Sequence, residues 1–475
     1  MSYYDYVIVG GGPSGLTLAS LLSKYNNNNN DTNNKTVLIL DKNDTIGGCH
    51  RVDRVNGLFT EHGPRIYSDG YINTKNILNE IGLSFDEIFT KYNFDISQIG
   101  GEGIQNFSLY EVWEFFKAYL YFLYDEKHFS KITVKQFIEN FSDRSKDYID
   151  RLCRLTDGAG ADKYTMYKFL SLLNDNFFYK LYQPKTANDK GLFKKWKEYL
   201  QKQDVSIRLN QDVSKIDFIQ NTVYTTLGQE YTYGKLILAI PPYHIYKLNV
   251  NNIFPNMGED TVMNTKYINY IPIVFFWKDY IDFPEKHGFP KNEWGIVFIK
   301  ISNYIGTESG YNTILSTCIT YTNVKSKFLG KTAEECNETE LKQEVFRQLK
   351  ETLTVNLPEY ENALLHSKLK YKDSQGFISE DTAFINTIET DSIEFQSPKY
   401  KNVYNLGTQN GKSSYNFTSM ESAVMNAIYL YCILEDKKYK IQKGWKLKDG
   451  INIILLLLVA IVLLVYFIIT IIKRK

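Results

Sequence analysis

An α/β fold carrying one C-terminal transmembrane helix is predicted by three observations. Residues 5–22 read as a buried strand, a glycine turn and a helix. Short apolar strands return between helical segments along most of the chain. The chain then closes on Ile451–Ile472, a nearly unbroken apolar run.

The first element is Asp5-Tyr-Val-Ile-Val followed by Gly10, Gly12 and Gly15, with Pro13 and Ser14 inside the turn. Gly-x-Gly-x-x-Gly spacing lets the chain turn tightly, lets a pyrophosphate approach the backbone, and lets the helix pack close to the strand. The helix then aims its free N–H groups and positive dipole end at the phosphates. It is expected to run to about Lys24. The Asn-rich stretch 26–34 has no core-forming residue and reads as a solvated loop. Thr36–Leu40 is a second strand, ending at Asp41 and Lys42. An acid at that point can accept hydrogen bonds from ribose hydroxyls. Together these features predict a Rossmann-type dinucleotide site.

Residues 71–182 have a largely helical pattern. Leu109–Tyr124 is rich in aromatics that circle the helix, which predicts a core position over a surface one. Val205–Asp217, Thr222–Tyr233 and Lys235–Ile240 read as strands. So do Tyr270–Trp277, Gly295–Ile301, Asn312–Tyr321 and Ala383–Glu389.

Charge is balanced, with 55 Lys and Arg against 54 Asp and Glu, which argues against a nucleic-acid partner. Five cysteines without a Cys-x-x-Cys pair suggest reduced thiols, and no zinc-ligand spacing is present. The first apolar run is the glycine-turn strand itself, so no signal peptide is expected. Ile451–Ile472 would span roughly 33 Å as a helix, enough for a bilayer core. The expectation is therefore a lipid-bilayer partner through Ile451–Ile472, preceded by a basic linker over 437–450. A single-pass C-terminal anchor would leave the enzyme body facing the cytosol.

Five blocks, in order, resemble the FAD-dependent flavin amine oxidase, protoporphyrinogen oxidase and phytoene desaturase superfamily, with some resemblance to UDP-galactopyranose mutase. The first is the glycine turn. The second is Asp41 followed by the pair Gly47-Gly48. The third is Gly57-Leu-Phe-Thr-Glu61-His62-Gly63-Pro64-Arg65-Ile-Tyr67. The fourth runs from Gly191 through Ile207–Val213 to Leu238-Ala-Ile-Pro-Pro242. The fifth joins Asn405-Leu-Gly407-Thr408-Gln409 to Ser419-Met420-Glu421-Ser422-Ala423-Val424.

The resemblance implies a non-covalent FAD and a discontinuous FAD-binding domain over 1–70, 188–250 and 395–436. An α+β substrate domain over 71–187 and 251–394 would be inserted into it. It further implies that Val213 meets adenine through its backbone. Gly407 and Thr408 would lie at the pyrophosphate, and Met420, Glu421 and Ala423 at the helix that covers the flavin. Gly63, Pro64 and Arg65 would pass near the flavin ring. Arg65 and His62 are the candidate catalytic residues, one as a cation for negative charge and one as a proton carrier.

The chain also departs from the amine oxidases. Cys49 replaces their usual arginine, Ser419 replaces a cage aromatic, and the strand Tyr270–Phe276 has no lysine. The reading is thus an FAD-dependent oxidoreductase acting on a small or apolar organic molecule by hydride transfer to flavin N5. The alternatives are a non-redox UDP-sugar mutase-like flavoenzyme and a catalytically lost flavin-fold interaction protein.

Overall fold

The computed structural model describes residues 2–28, 35–93, 105–248, 253–254, 267–268, 270–282, 291–353, 356–366, 369–372, 376–379, 383–384, 392–415, 418–454, 456–458 and 460–461. The N-terminal part contains β1 (Ser2–Val9), α1 (Pro13–Asn28), β2 (Val37–Leu40), β3 (Val52–Val55), β4 (Leu58–Glu61) and α2 (Ile72–Glu80). Helices α3 (Leu109–Tyr124), α4 (Asp143–Asp157), α5 (Met166–Asn176) and α6 (Leu192–Lys202) follow. Next come β5 (Ser206–Arg208), β6 (Val213–Asp217), β7 (Thr222–Thr225) and β8 (Glu230–Leu238). The C-terminal half holds β9 (Ile271–Trp277), β10 (Val297–Lys300), β11 (Thr313–Ile319), α7 (Glu338–Thr352), β12 (Asn362–Leu365), β13 (Val403–Asn405) and α8 (Met420–Glu435).

The main sheet has the order β5-β2-β1-β8. The long strand β8 lies parallel to β1 over its length, with Ser2 opposite Tyr231 and Val9 opposite Leu238. On its other side, its first half pairs antiparallel with β7 and its last half pairs parallel with β13. Buried on both faces, Val7–Val9 at the end of β1 and all of β2 are continuous Val/Ile/Leu runs, as a parallel sheet requires. One face is covered by α1, α6 and α8, whose Leu16, Trp196 and Val424 share a core with Ile8 and Ile39. A second, antiparallel sheet has the order β10-β11-β9-β12, and α7 closes its core.

The expected strands Thr222–Tyr233 and Lys235–Ile240 redistribute into β7 and β8, because the chain turns between 225 and 230 and then runs straight through Gly234. Helix α1 continues to Asn28, past the expected Lys24. The expected strand from Ala383 is described only at Ala383–Phe384. The aromatic helix is not mainly core. On α3, Ala118 and Phe122 are buried, whereas Trp113, Phe116, Leu120, Tyr121 and Tyr124 are exposed. Its partners include α5, where Tyr119 Oη donates to Asn174 Oδ1 at 3.1 Å, and α4, where Ser145 Oγ donates to Glu111 Oε2 at 3.0 Å.

The predicted transmembrane helix is corrected. Among the described residues, no helix is long and apolar enough to cross a membrane. The described helical residues at this end lie between 447 and 461, with 455 and 459 left out. Residues 462–475, the rest of the expected span, lie outside the described residues. The single-pass anchor and the cytosol-facing placement built on it fall with this correction. The segment expected to be a basic linker instead packs on the body. Tyr439 Oη donates to Glu80 at 2.5 Å, Gln442 N to Asn73 Oδ1 at 2.9 Å, and Lys446 pairs with buried Asp175 at 2.8 Å.

Candidate active site

Backbone hydrogen bonds align the C-terminal ends of the parallel strands at one edge of the main sheet. Gly10 N donates to Leu40 O at 2.8 Å, Ala239 N to Val9 O at 2.8 Å, Leu406 N to Leu238 O at 3.0 Å, and Asp41 N to Arg208 O at 3.0 Å. Ligands of open α/β sheets bind at such an edge. It gathers Gly10–Gly15, Asp41, Gly47-Gly48 and Gly407 from segments far apart in the chain.

Gly10 adopts φ +113°, and a Cβ there would lie 2.3 Å from Ala239 O. A Cβ on Gly15 would lie 2.1 Å from Gly10 O. Both positions therefore exclude side chains for reasons internal to the fold. Gly12 differs, since a Cβ there would meet only Gly48, its Cα at 3.6 Å. The turn at Gly47 is fixed by its N–H donating to Gly11 O at 2.8 Å. Two glycine turns thus face each other without side chains at the N-terminus of α1, where Pro13 and Ser14 are buried.

Asp41 sits at the end of β2 as expected, and its carboxylate already serves the backbone. It accepts from Gly11 N at 2.7 Å and from Asn43 N at 2.9 Å. Burial raises its pKa, and these hydrogen bonds oppose the rise. Lys42, beside it, is exposed. Gln211 N donates to Asp41 O at 2.8 Å, which brings Val213 and the start of β6 to the same corner. Gly407 is held by Asn426 Nδ2, which donates to its carbonyl at 2.8 Å, and Thr408 opens the short turn that follows.

Met420, Glu421 and Ala423 form the buried first turn of α8. The Glu421 carboxylate is spent on α2. It accepts from Asn73 N at 2.9 Å, Asn73 Nδ2 at 2.8 Å, Thr74 N at 2.8 Å and Thr74 Oγ1 at 2.7 Å. What this turn offers a ligand is therefore the backbone end of α8.

At the other end of the edge, Arg65 Nη2 donates to Cys49 O at 2.7 Å and lies 3.0 Å from His62 Nδ1. Arginine is only a donor, so Nδ1 accepts and the lone ring proton of His62 sits on Nε2. His62 is buried edge-on against Tyr270 and His366. His366 Nε2 lies 3.0 Å from Asp53 Oδ2, and Asp53 pairs with Arg51 at 3.0 Å. His50 is a weaker proton carrier than an ordinary histidine. Burial first, and the Arg65 charge second, push its pKa down to about 3. Asn188 Nδ2 donates to Tyr67 Oη at 2.8 Å, leaving the phenol hydrogen for His50 Nδ1 at 3.2 Å. Gly63 and Pro64 carry the chain between these groups and past Cys318, whose thiol burial pushes up to about 12.

Glu61 was quoted in the motif without a role. It is buried at the end of β4, and Ser316 Oγ on β11 donates to its Oε1 at 2.5 Å. Burial pushes its pKa up to about 7, against the Ser316 hydrogen bond and the Arg65 charge. A carboxyl inside an otherwise buried strand end was the available signal. Ser316 and His366 gave none, being more than 250 residues away in the chain.

The residues fit a dinucleotide cofactor with a second polar group at its far end. Four of the nine buried polar atoms without a hydrogen-bond partner among the described residues lie here: Asn43 Oδ1, Thr45 Oγ1 and Gln211 Oε1 near Asp41, and Arg65 Nε. The side-chain-free backbones of Gly12 and Gly48 touch at the same edge. No cluster of metal-binding side chains occurs among the described residues.

Comparison with known proteins agrees with this frame. Residues 8–81 match the NAD(P)-binding Rossmann-like domain family. A UDP-galactopyranose mutase of Mycoplasma genitalium is 37% identical over 86 residues, 18% of this chain and 19% of that protein. The chain thus aligns with about a fifth of that curated relative's length. Among solved structures, an oxidoreductase from Methanosarcina mazei superposes with a TM-score of 0.60 at 13% identity, over 90% of this chain and 99% of the other. A putrescine oxidase bound to putrescine gives 0.59 at 13% identity, over 92% and 99%. A protein described as a protoporphyrinogen oxidase from Exiguobacterium sp. gives 0.58 at 15% identity, over the same shares. At such identities the likeness is one of fold alone, and it agrees with the Rossmann-like α/β architecture expected from the glycine turn.

Proposed function

We propose that this protein is an FAD-dependent oxidoreductase that dehydrogenates a small or apolar organic molecule. The observation that carries the reading is the side-chain-free backbone at Gly12 and Gly48 beside the N-terminus of α1, with buried polar atoms lacking a hydrogen-bond partner near Asp41 and on Arg65. Fold likeness to oxidases over nine-tenths of the chain supports it. A bound flavin would supply a two-electron acceptor for hydride. The chain's own contribution is geometric and electrostatic. Backbone at Gly12 and the N-terminus of α1 would hold the pyrophosphate. The Asp41 corner would hold the adenosine, and the first turn of α8 would cover the ring. Arg65, fixed by Cys49 O and His62, would place a permanent cation where negative charge accumulates. The neutral His62 presents an Nε2–H donor and not a base.

The test is the absorbance spectrum of the purified protein and of its Gly12→Ala variant. The wild type should be yellow and release FAD on denaturation. The added methyl meets only ordinary contact distances, so the variant should fold with unchanged thermal stability in the FAD-free form and lose the flavin. Wild-type protein that shows no saturable FAD binding would overturn the reading. A second reading, a UDP-sugar mutase, is favoured by the 37% identity over 86 residues. It requires a UDP-sugar ligand and activity only after prior reduction, with no net oxidation.

A further inference from the structure

We infer that Glu61 is the proton-holding group of this site, taking up the proton that accompanies electrons into the bound cofactor. The inference rests on the flavin reading above. Its basis is where the carboxyl stands. Glu61 closes β4, and β4 meets β11 of the second sheet at this side chain. Oε1 is fixed by Ser316 Oγ at 2.5 Å. Oε2 accepts no hydrogen bond among the described residues and is not among the sealed polar atoms, and the residue keeps 8% exposure. One oxygen is thus anchored and the other is left for a proton.

The surroundings favour exchange over permanent charge. Arg65 is the nearby cation; Tyr67 and the Cys318 thiol also feel the Glu61 charge. Both of these are held neutral by burial. His62 follows it in the chain, Val52 lies opposite it on β3, Ser316 faces it from β11, and Tyr270 and His366 stand against His62. Arg65 already donates to His62 Nδ1, so His62 cannot bind a proton there without breaking that bond. His50 is held neutral by burial. Burial pushes the Glu61 carboxyl up to about 7, where it can exchange a proton.

The chemistry balances. A substrate with a C–H next to an N–H or O–H becomes a C=N or C=O by losing a hydride and a proton. The hydride, with both electrons, goes to the flavin, and the proton goes to the Glu61 carboxylate, which becomes the neutral acid. Negative charge gained by the cofactor on reduction draws the same proton even without substrate.

The experiment is a spectroelectrochemical titration of the FAD-loaded protein across pH, with redox-induced infrared difference spectra, on wild type, Glu61→Gln and Ser316→Ala. In wild type, the plot of midpoint potential against pH should bend near pH 7, and reduction should raise a protonated-carboxyl band. Glu61→Gln should lose the bend and the band. Ser316→Ala removes a hydrogen bond to the anion and should move the bend to higher pH, which keeps the test open if the first variant folds poorly. A bend that persists in Glu61→Gln, or a straight wild-type plot, overturns the inference while FAD binding stands. Wild type that retains no FAD overturns the functional reading itself, and the inference with it.

Discussion

Replacing Glu61 by Gln should make the protein more stable at alkaline pH and leave it nearly unchanged in acid. The carboxyl is buried, with one hydrogen bond from Ser316 at 2.5 Å, and its pKa is pushed from 4.5 to about 7. In the unfolded chain the group ionises near 4.5, while in the native protein it keeps its proton until about 7. Between these values the native state binds more protons than the unfolded state, so wild-type stability falls as pH rises. At about 1.4 kcal/mol per pH unit, the accumulated loss is about 3 kcal/mol above pH 7. The amide carries no such cost, and its oxygen still accepts from Ser316. Urea denaturation of the FAD-free proteins at pH 4, 5.5, 7 and 8.5 measures the difference. The two should coincide at pH 4 and diverge through the window, with the variant ahead by about 3 kcal/mol at pH 8.5. A gap that does not depend on pH would refute the reasoning, because it would mean that Glu61 titrates alike in the folded and unfolded chains.

Three other substitutions test other parts of the site. Gly15→Ala sets a methyl 2.1 Å from Gly10 O and should lower the melting temperature of the FAD-free protein as well as abolish FAD binding, whereas Gly12→Ala should affect only binding. Glu421→Ala leaves the Asn73 and Thr74 donors unpaired and should cost about 3 kcal/mol in urea denaturation. His50→Gln should flatten the acid limb of stability. The native imidazole resists protonation down to about pH 3 while the unfolded one protonates near 6.5, so wild type loses stability as pH falls through that range and the variant does not. Denaturation at pH 4 and 6.5 checks this.

The sequence showed the parts of the site whose constraint is local. The turn at Gly10–Gly15 announces itself because its glycines are forced by contacts within one strand–turn–helix unit. Asp41 was legible for the same reason, as the residue that ends β2. What stayed hidden depends on distant segments meeting. That Glu421 serves Asn73 and Thr74 follows from α8 docking on α2, 348 residues apart. The pairing of Glu61 with Ser316 depends on two sheets touching. The failure at Ile451–Ile472 has a different cause. Apolar content gives a potential length, and among the described residues no helix is long and apolar enough to reach it. On α3, circling aromatics suggest burial, but the body covers Ala118 and Phe122 and leaves Trp113, Phe116 and Tyr124 exposed.

The split partnership of β8 governs how this chain must come together. Its last residues have Val403–Asn405 as their neighbour, some 165 positions later in the chain. During synthesis, β1, β2 and β8 can associate early, but half an edge of β8 then stays open while the whole intervening sheet is made. An uncovered parallel edge of Leu236, Ile237 and Leu238 is an invitation to wrong pairing. Chains stopped before residue 403 should therefore be prone to aggregate, and the nucleotide-binding edge cannot be complete until nearly the last helix has emerged.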